Sequence, residues 1–123
     1  MKINRQVVVF DAADLEAESS FWAGKLRGRV ARDDDWHSVL DADGEWRLGT
    51  QYAPNHVPPQ WPDGEQQQQV HLDLHVDDPR SAQHEVMKRG ARLLQPAEDF
   101  DATEGHQVFA SPAGHPFCIG WGH

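Results

Sequence analysis

Apolar residues recur along this chain with two different periods, which predict two kinds of secondary structure. In "VHLDLHV" (70–76) apolar and polar residues alternate, which is the period of a β-strand. In "DLEAESSFWAGKLRG" (14–28) the apolar residues recur at a helical spacing, behind an aspartate that suits an N-cap. The first stretch therefore predicts a strand, and the second predicts a helix that ends at a glycine.

The predicted elements occur twice in the same order. In the first half a strand at 7–10 precedes the helix, and three strands follow, the last two joined by the turn "DADG" (41–44). In the second half the strand at 70–76 precedes a helix at 77–90, and three strands follow, the last two joined by "SPAG" (111–114). We predict an α+β fold made of two βαβββ modules.

A proline-rich segment separates the two halves. "APNHVPPQWPDGEQQQQ" (53–69) contains four prolines, which oppose regular secondary structure. Two copies of a long repeat are too few for a solenoid. We predict one domain over residues 1–123, with module one over about 1–52, a linker over about 53–69 and module two over about 70–123.

Charge and composition exclude several classes of partner. The formal net charge is −9 at pH 7, and no cluster of Lys or Arg offsets it locally. Such a surface repels phosphate groups, so we expect neither nucleic acid nor a membrane as a partner. The N-terminal apolar run breaks at Asp11 and is too short for a signal peptide. One cysteine, Cys118, permits no internal disulfide, which fits a reducing cytoplasm.

Three segments together resemble one protein superfamily. They are "FDAADLEAESSFWAGKL", "VHLDLHVDDPRSAQHEVMKRGARLL" and "FASPAGHPFCIGW", and with their spacing they cover nearly the whole chain. The chain is similar to the vicinal-oxygen-chelate superfamily, which includes glyoxalase I, bleomycin-resistance proteins and extradiol dioxygenases, and most similar to its glyoxalase-like domains. The resemblance implies a curved, cupped mixed sheet with the helices outside, a small organic ligand in the cleft, and a homodimer.

The resemblance also implies positions for a divalent metal ion on the first and last strand of each module. His71, seven residues before the capping Asp78, matches one ligand position of the metal-dependent members. The other three positions hold Val7, Leu48 and Cys118. A thiolate binds zinc, but the two aliphatic side chains bind no metal. We therefore expect no cofactor and no complete metal site, with an atypical divalent-metal site at His71 and Cys118 as the alternative.

The polar face of the strand at 70–76 supplies the main candidate site residues. Alternation places His71, Asp73 and His75 together, about 6.8 Å apart along the strand. That spacing is wide for all three to bind one ion, although His71 with Asp73 could do so with help from Cys118. We expect His71 and Asp73 to line the cleft, where they are also the candidates for general acid–base chemistry. His75 is expected in solvent.

Further candidates lie on the last strands of the two modules. We assign Gln51 to the cleft rather than Tyr52, because the related domains resemble "LxFQ" here, although a register shift of one residue would exchange the two. Trp46, one of five tryptophans, either lines the cleft and stacks on a flat ligand or packs in the core. Cys118 is expected on an inward face, as a ligand contact or as a small buried hydrophobe.

We therefore predict a cytoplasmic protein that binds a small organic molecule in the cleft and lacks the family's complete metal site. The alternative is an enzyme of the lyase, isomerase or dioxygenase type, with a His71-centred metal site or an acid–base pair of His71 and Asp73. A third possibility is an accessory domain that only dimerises. The residues Val7 and Leu48, where metal ligands would stand, favour the first interpretation.

Overall fold

The repeated order of elements is present in the computed structural model of the protein, which describes residues 1–122. The chain forms two compact units, one from Met1 to His56 and the other from Val57 onward. Each unit contains a strand, a helix and three further strands, in that order. The predicted α+β fold with two βαβββ modules is therefore confirmed.

The first unit is a four-stranded mixed sheet with one helix packed on it. Its elements are β1 (Val8–Ala12), α1 (Leu15–Lys25), β2 (Arg29–Arg32), β3 (Trp36–Leu40) and β4 (Trp46–Tyr52). The strand order is β1-β4-β3-β2, with β1 parallel to β4 and the other pairs antiparallel. The core lies between α1 and the sheet, where the rings of Phe10 and Trp22 stack with centroids 5.1 Å apart.

The second unit repeats this arrangement. Its elements are β5 (Leu72–His75), α2 (Pro79–Lys88), β6 (Arg92–Gln95), β7 (Gly105–Ala110) and β8 (Pro116–Trp121). The strand order is β5-β8-β7-β6, with β5 parallel to β8. Phe109 and Phe117 stack in the core, and Gln107 of β7 donates a hydrogen bond to Gln83 of α2. These contacts identify the helix-covered face of the sheet.

The helix N-termini follow the sequence prediction. The Asp14 carboxylate accepts a hydrogen bond from the Ala17 N–H at 3.0 Å. The Asp78 carboxylate accepts one from the Ser81 N–H at 3.1 Å, with Pro79 in the first turn. A side-chain acceptor at the N-cap satisfies an N–H that has no partner within the helix. Both helices therefore start where the sequence places a capping aspartate.

The two helices end differently, and the role predicted for Gly28 is wrong. Gly90 has φ +108° and ends α2 in the left-handed conformation that glycine tolerates. After α1 the residue with positive φ is Arg27, at φ 51°. Gly28 serves another purpose, because a Cβ on it would lie 1.7 Å from the carbonyl oxygen of Leu40. The glycine therefore allows the chain to pass close to the end of β3.

The predicted linker contains no regular element. Residues 53–69, all of which the structure describes, form neither a helix nor a named strand, and only an isolated bridge joins Gln60 to Gln67. The boundary between the two units, at His56 and Val57, falls within this segment. That the chain is a single domain stays a prediction. Among the described residues, no helix has the length and apolar character needed to cross a lipid bilayer.

Candidate functional site

Polar side chains converge on the helix-free face of the second sheet. Register pairs Asp73 of β5 with Cys118 of β8, and His75 with Gly120. On the other side of β8, His106 of β7 also pairs with Gly120. Because side chains alternate along a strand, these residues lie opposite the buried Phe117 and Ile119, which pack towards α2.

These residues line a pocket of about 280 Å³, which we call the histidine pocket. Its lining residues are His71, Asp73, His75, His106, Cys118 and Gly120. The pocket is open to solvent and lies entirely within the second unit. Three imidazoles, one carboxylate and one thiol therefore face the same small volume.

The predicted pair of His71 and Asp73 is formed. The His71 Nε2 lies 3.3 Å from the Asp73 Oδ1, with 44% and 56% of the two side chains exposed. Neighbours two residues apart on one strand face point the same way, so a long imidazole can reach the carboxylate. The carboxylate can fix the imidazole tautomer and orientation, which is what general acid–base chemistry needs.

The Cys118 thiol is held in its protonated form. Burial raises its pKa, and the negative charge of Asp73 and a hydrogen bond to that carboxylate raise it further, to about 11. A nucleophilic cysteine needs a cation or a helix N-terminus that lowers its pKa, and here the dominant neighbour is an anion. In the metal-free protein Cys118 is therefore a poor nucleophile, and it lines the pocket as a neutral thiol.

Three of the five predicted ligand-binding residues are close together. One ligand atom each from His71, Asp73 and Cys118 lies within 4.8 Å of the other two. Cys118 joins the pair because β5 and β8 are parallel neighbours in register, which places Asp73 beside it. The hydrophobic period of each strand indicates which face a side chain occupies, but it does not indicate that β5 pairs with β8.

Two further histidines, His75 and His106, also line the histidine pocket. Both are exposed, as expected for His75, because the pocket is open to solvent. His75 follows Asp73 at the strand period, so the sequence contained a signal for its face. His106 comes from β7, and only the antiparallel register with β8 brings it to Gly120.

The remaining candidates, Gln51 and Trp46, lie on β4 in the first unit and do not line the histidine pocket. Gln51 is exposed and pairs with Trp36. The Trp36 indole lies over Gly49, two residues before Gln51, so both positions are on the helix-free face. Tyr52, the next residue, points to the opposite face. The Trp46 Nε1 donates to a backbone carbonyl at 2.9 Å, and its ring meets Trp36 edge-on. Ligand contact by Gln51 and Trp46 stays a prediction.

Strand register shows which residues of the two modules correspond. Val9 and Asp73 each lie five residues before the capping aspartate of their module, so they correspond. Val9 pairs with Gly49 and Asp73 pairs with Cys118, so the counterpart of Cys118 is Gly49. An offset of four residues from the turn glycine, which gives Cys118 from Gly114, gives Leu48 from Gly44, and Leu48 is buried on the helix-covered face. The offset fails because the pairing of β3 with β4 shifts by one residue after Val39, whereas β7 and β8 pair without a shift.

The family's two-module ligand set does not fit this chain. At the positions in the first module that correspond to His71 and Cys118 stand Val7 and Gly49, neither of which has a side chain that binds metal. A Cβ at Gly49 would come within 2.4 Å of the Trp36 ring, so the indole occupies the space where a ligand side chain would stand. Potential ligands in the second module therefore have no counterpart at these positions in the first.

Comparison with known proteins agrees with this architecture. The family model for the glyoxalase-like domain matches residues 7–120. The chain belongs to the glyoxalase-like domain family. The resemblance to the vicinal-oxygen-chelate superfamily is thereby confirmed. No curated protein matches this glyoxalase-like chain.

Solved structures share the fold at low sequence identity. A fosfomycin resistance protein, FosX, from Mesorhizobium loti has a TM-score of 0.69 and 17% identity, with 100% of this chain and 95% of that chain covered. A glyoxalase/bleomycin resistance protein/dioxygenase family enzyme from Burkholderia phytofirmans PsJN has a TM-score of 0.66 and 15% identity, covering 95% and 97%. A mutant FosX from Listeria monocytogenes, complexed with Mn(II) and 1S,2S-dihydroxypropylphosphonic acid, has a TM-score of 0.66 and 11% identity, covering 97% and 90%.

Proposed function

We propose that this glyoxalase-like protein binds a small hydroxylated organic acid in the histidine pocket, without the two-module metal site of its relatives. The observation that carries the proposal is the presence of His71, His75 and His106 around a volume of about 280 Å³. Imidazole N–H groups donate hydrogen bonds to carboxylate or phosphonate oxygens. Asp73 is an acceptor for a ligand hydroxyl group.

The size of the pocket favours a small metabolite. Ligand pockets usually enclose roughly 300–1,000 Å³, and the histidine pocket, at about 280 Å³, is at the small end. A few polar side chains around so small a volume can bind the polar functional groups of a small ligand, but they offer little apolar surface for a larger one. One structural neighbour has a hydroxylated phosphonic acid bound, which makes that class of compound the first to test.

Catalysis is the second candidate, and the contact between His71 and Asp73 favours it. Their separation of 3.3 Å would allow the pair to act as a general acid–base on a bound hydroxyl or carbonyl group. The reaction would then be of the lyase or isomerase type, because proton transfer alone supports these chemistries. Turnover of a bound acid that is lost in His71→Ala would favour the enzyme over the binding protein.

A homodimer and a cytoplasmic location also belong to this proposal. A single cysteine held as a thiol suits a reducing compartment. The net charge of −9 opposes binding to nucleic acid or to an anionic membrane. Light scattering after size-exclusion chromatography tests the dimer directly.

Thermal unfolding in the presence of a chelator tests the binding function. The probes are 1,2-dihydroxypropylphosphonic acid, lactate and malate, each titrated against the untagged protein in EDTA. A ligand that binds only the folded state stabilises it by about 2.7 kcal/mol at a concentration of 100 times Kd. We expect at least one acid to raise the melting temperature in a saturable manner.

Two variants make this test specific. His106→Ala removes a pocket imidazole and should abolish the shift, whereas His84→Ala, on the exposed surface of α2, should keep it. If no acid stabilises the protein, or if His106→Ala responds as the wild type does, the proposal is wrong.

A further inference from the structure

We propose that His71, Asp73 and Cys118 form a mononuclear site for a thiophilic divalent metal ion, with zinc preferred, built from the second module alone. We call these three residues the His-Asp-Cys triad. The inference concerns a wall of the histidine pocket but does not rest on the binding of an organic acid, because metal binding is measured without one. It also differs from the family's ligand set, because Asp73 is outside the positions that the metal-dependent relatives use.

Distances within the triad suit one ion. Zinc bonds of about 2.0–2.3 Å in a tetrahedral site place the ligand atoms roughly 3.3–3.8 Å apart. The His71 Nε2 and Asp73 Oδ1 are 3.3 Å apart, and one ligand atom from each of the three residues lies within 4.8 Å of the others. One ion therefore requires small rotamer changes that bring the three ligand atoms about 1 Å closer together. His71 and Asp73 are about half exposed, which leaves them free to make such changes.

Strand pairing holds the triad together without help from the first unit. Asp73 and Cys118 are direct partners on the parallel strands β5 and β8, and β8 is a central strand of its sheet. His71 precedes β5 by one residue and reaches the same carboxylate. The backbone positions are therefore fixed by hydrogen bonds on both sides of β8, which favours a preorganised site.

The donor atoms select the metal. Imidazole nitrogen, thiolate sulfur and carboxylate oxygen together form a donor set typical of zinc, whereas manganese and magnesium prefer oxygen ligands. Three protein ligands leave a fourth position of a tetrahedral site open. That open position faces the histidine pocket, since the triad lines it.

Electrostatics at the triad also favours a cation. Asp73 and Cys118 stand side by side as partners on paired strands. A divalent ion can bond to both groups, and the thiol proton is then released to solvent. No lysine or arginine lines this part of the described structure, so the position beside both groups is open to an ion.

Cobalt titration tests the proposal, because cobalt(II) occupies zinc sites and its bond to a thiolate gives a charge-transfer band in the near ultraviolet. We expect one cobalt per chain with this band, and displacement by one equivalent of zinc. His71→Ala, Asp73→Asn and Cys118→Ser should each weaken binding by at least about tenfold. His84→Ala, on the opposite side of the sheet, is the matched control and should bind normally.

A second measurement does not depend on variants. Over an incubation long enough for the metal-free wild-type protein to be alkylated at Cys118 by iodoacetamide, zinc should protect this residue, and manganese at the same concentration should not. No charge-transfer band, a band that survives in Cys118→Ser, or equal protection by manganese would each overturn the inference. Loss of acid binding with metal binding intact would instead contradict only the proposed function.

Discussion

The Asp73 carboxylate lies beside the Cys118 thiol on a neighbouring parallel strand and hydrogen-bonds to it. This contact adds to burial in raising the pKa of the thiol to about 11. At pH 8 such a thiol has a thiolate fraction roughly a hundredfold below that of a cysteine with an ordinary pKa. Metal-free wild-type protein should therefore react slowly with iodoacetamide until the pH approaches 11.

Substitution of the carboxylate should reverse part of this effect. Asp73→Asn removes the negative charge, so we expect a lower Cys118 pKa and faster alkylation at pH 8. Burial remains, which keeps the pKa above the ordinary value. Mass spectrometry of alkylation rates in EDTA across pH 7–11 measures the shift. Glu85→Gln, on α2 at the other side of the sheet, should leave the rate unchanged. An unaltered pH profile in Asp73→Asn would contradict this account of Cys118.

A buried hydrogen bond between Ser19 and His37 should contribute measurably to stability. The Ser19 Oγ lies 2.7 Å from the His37 Nδ1, and both side chains are buried. Ser19→Ala leaves an imidazole nitrogen without its partner, which costs about 1–3 kcal/mol of unfolding free energy. Ser20→Ala, which removes only an exposed bond to Glu16, should cost less than about 0.5 kcal/mol. Urea unfolding compares the two variants, and equal losses would refute the prediction.

The ion pair of Glu16 and Arg32 should make stability depend on pH below 4.5. The hydrogen bond from Arg32 lowers the pKa of Glu16 from 4.5 to about 2. A lowered carboxyl pKa gives stability that is complete above pH 4.5 and is lost as the pH falls towards 2. Since both side chains are about half exposed, solvent screening limits the contribution to below about 1 kcal/mol.

Urea unfolding of Glu16→Gln at pH 7 and at about pH 2 measures this contribution. We expect the variant to be less stable than wild type at neutral pH and equal to it in acid. Glu98→Gln, in an exposed loop of the second unit, is the control and should follow the wild-type curve. A difference that persists unchanged in acid would show that the charge of Glu16 is not its source.

Gly28 should tolerate no side chain, for a steric reason. A Cβ there would lie 1.7 Å from the Leu40 carbonyl oxygen and 2.8 Å from the Asp41 carbonyl carbon, both backbone atoms. Gly28→Ala should therefore cost more than about 3 kcal/mol or prevent folding. At Gly44 a Cβ meets open space but φ is +84°, so Gly44→Ala should cost only about 1–2 kcal/mol. Melting temperatures in the reverse order would contradict this interpretation.

Much of the architecture could be predicted from local sequence alone. The capping aspartates Asp14 and Asp78 and the two hydrophobic periods located both helices and most of the strands. These signals are local, because a cap or a period involves residues within a few positions of one another. The face on which His71 and Asp73 lie follows from the same alternation. Their shared face and the family resemblance were therefore accessible before the structure, whereas their contact of 3.3 Å was a hypothesis that the structure supports.

Tertiary structure decided which residues share the site. His106 reaches the histidine pocket, and Cys118 reaches Asp73, only through pairing of strands that are far apart in sequence. The counterpart of Cys118 is Gly49 rather than Leu48, because the register between β3 and β4 shifts by one residue after Val39. Hydrophobic periods determine which face of a strand a side chain occupies. The neighbour that it meets across the sheet depends on register, which long-range backbone hydrogen bonds and bulges set.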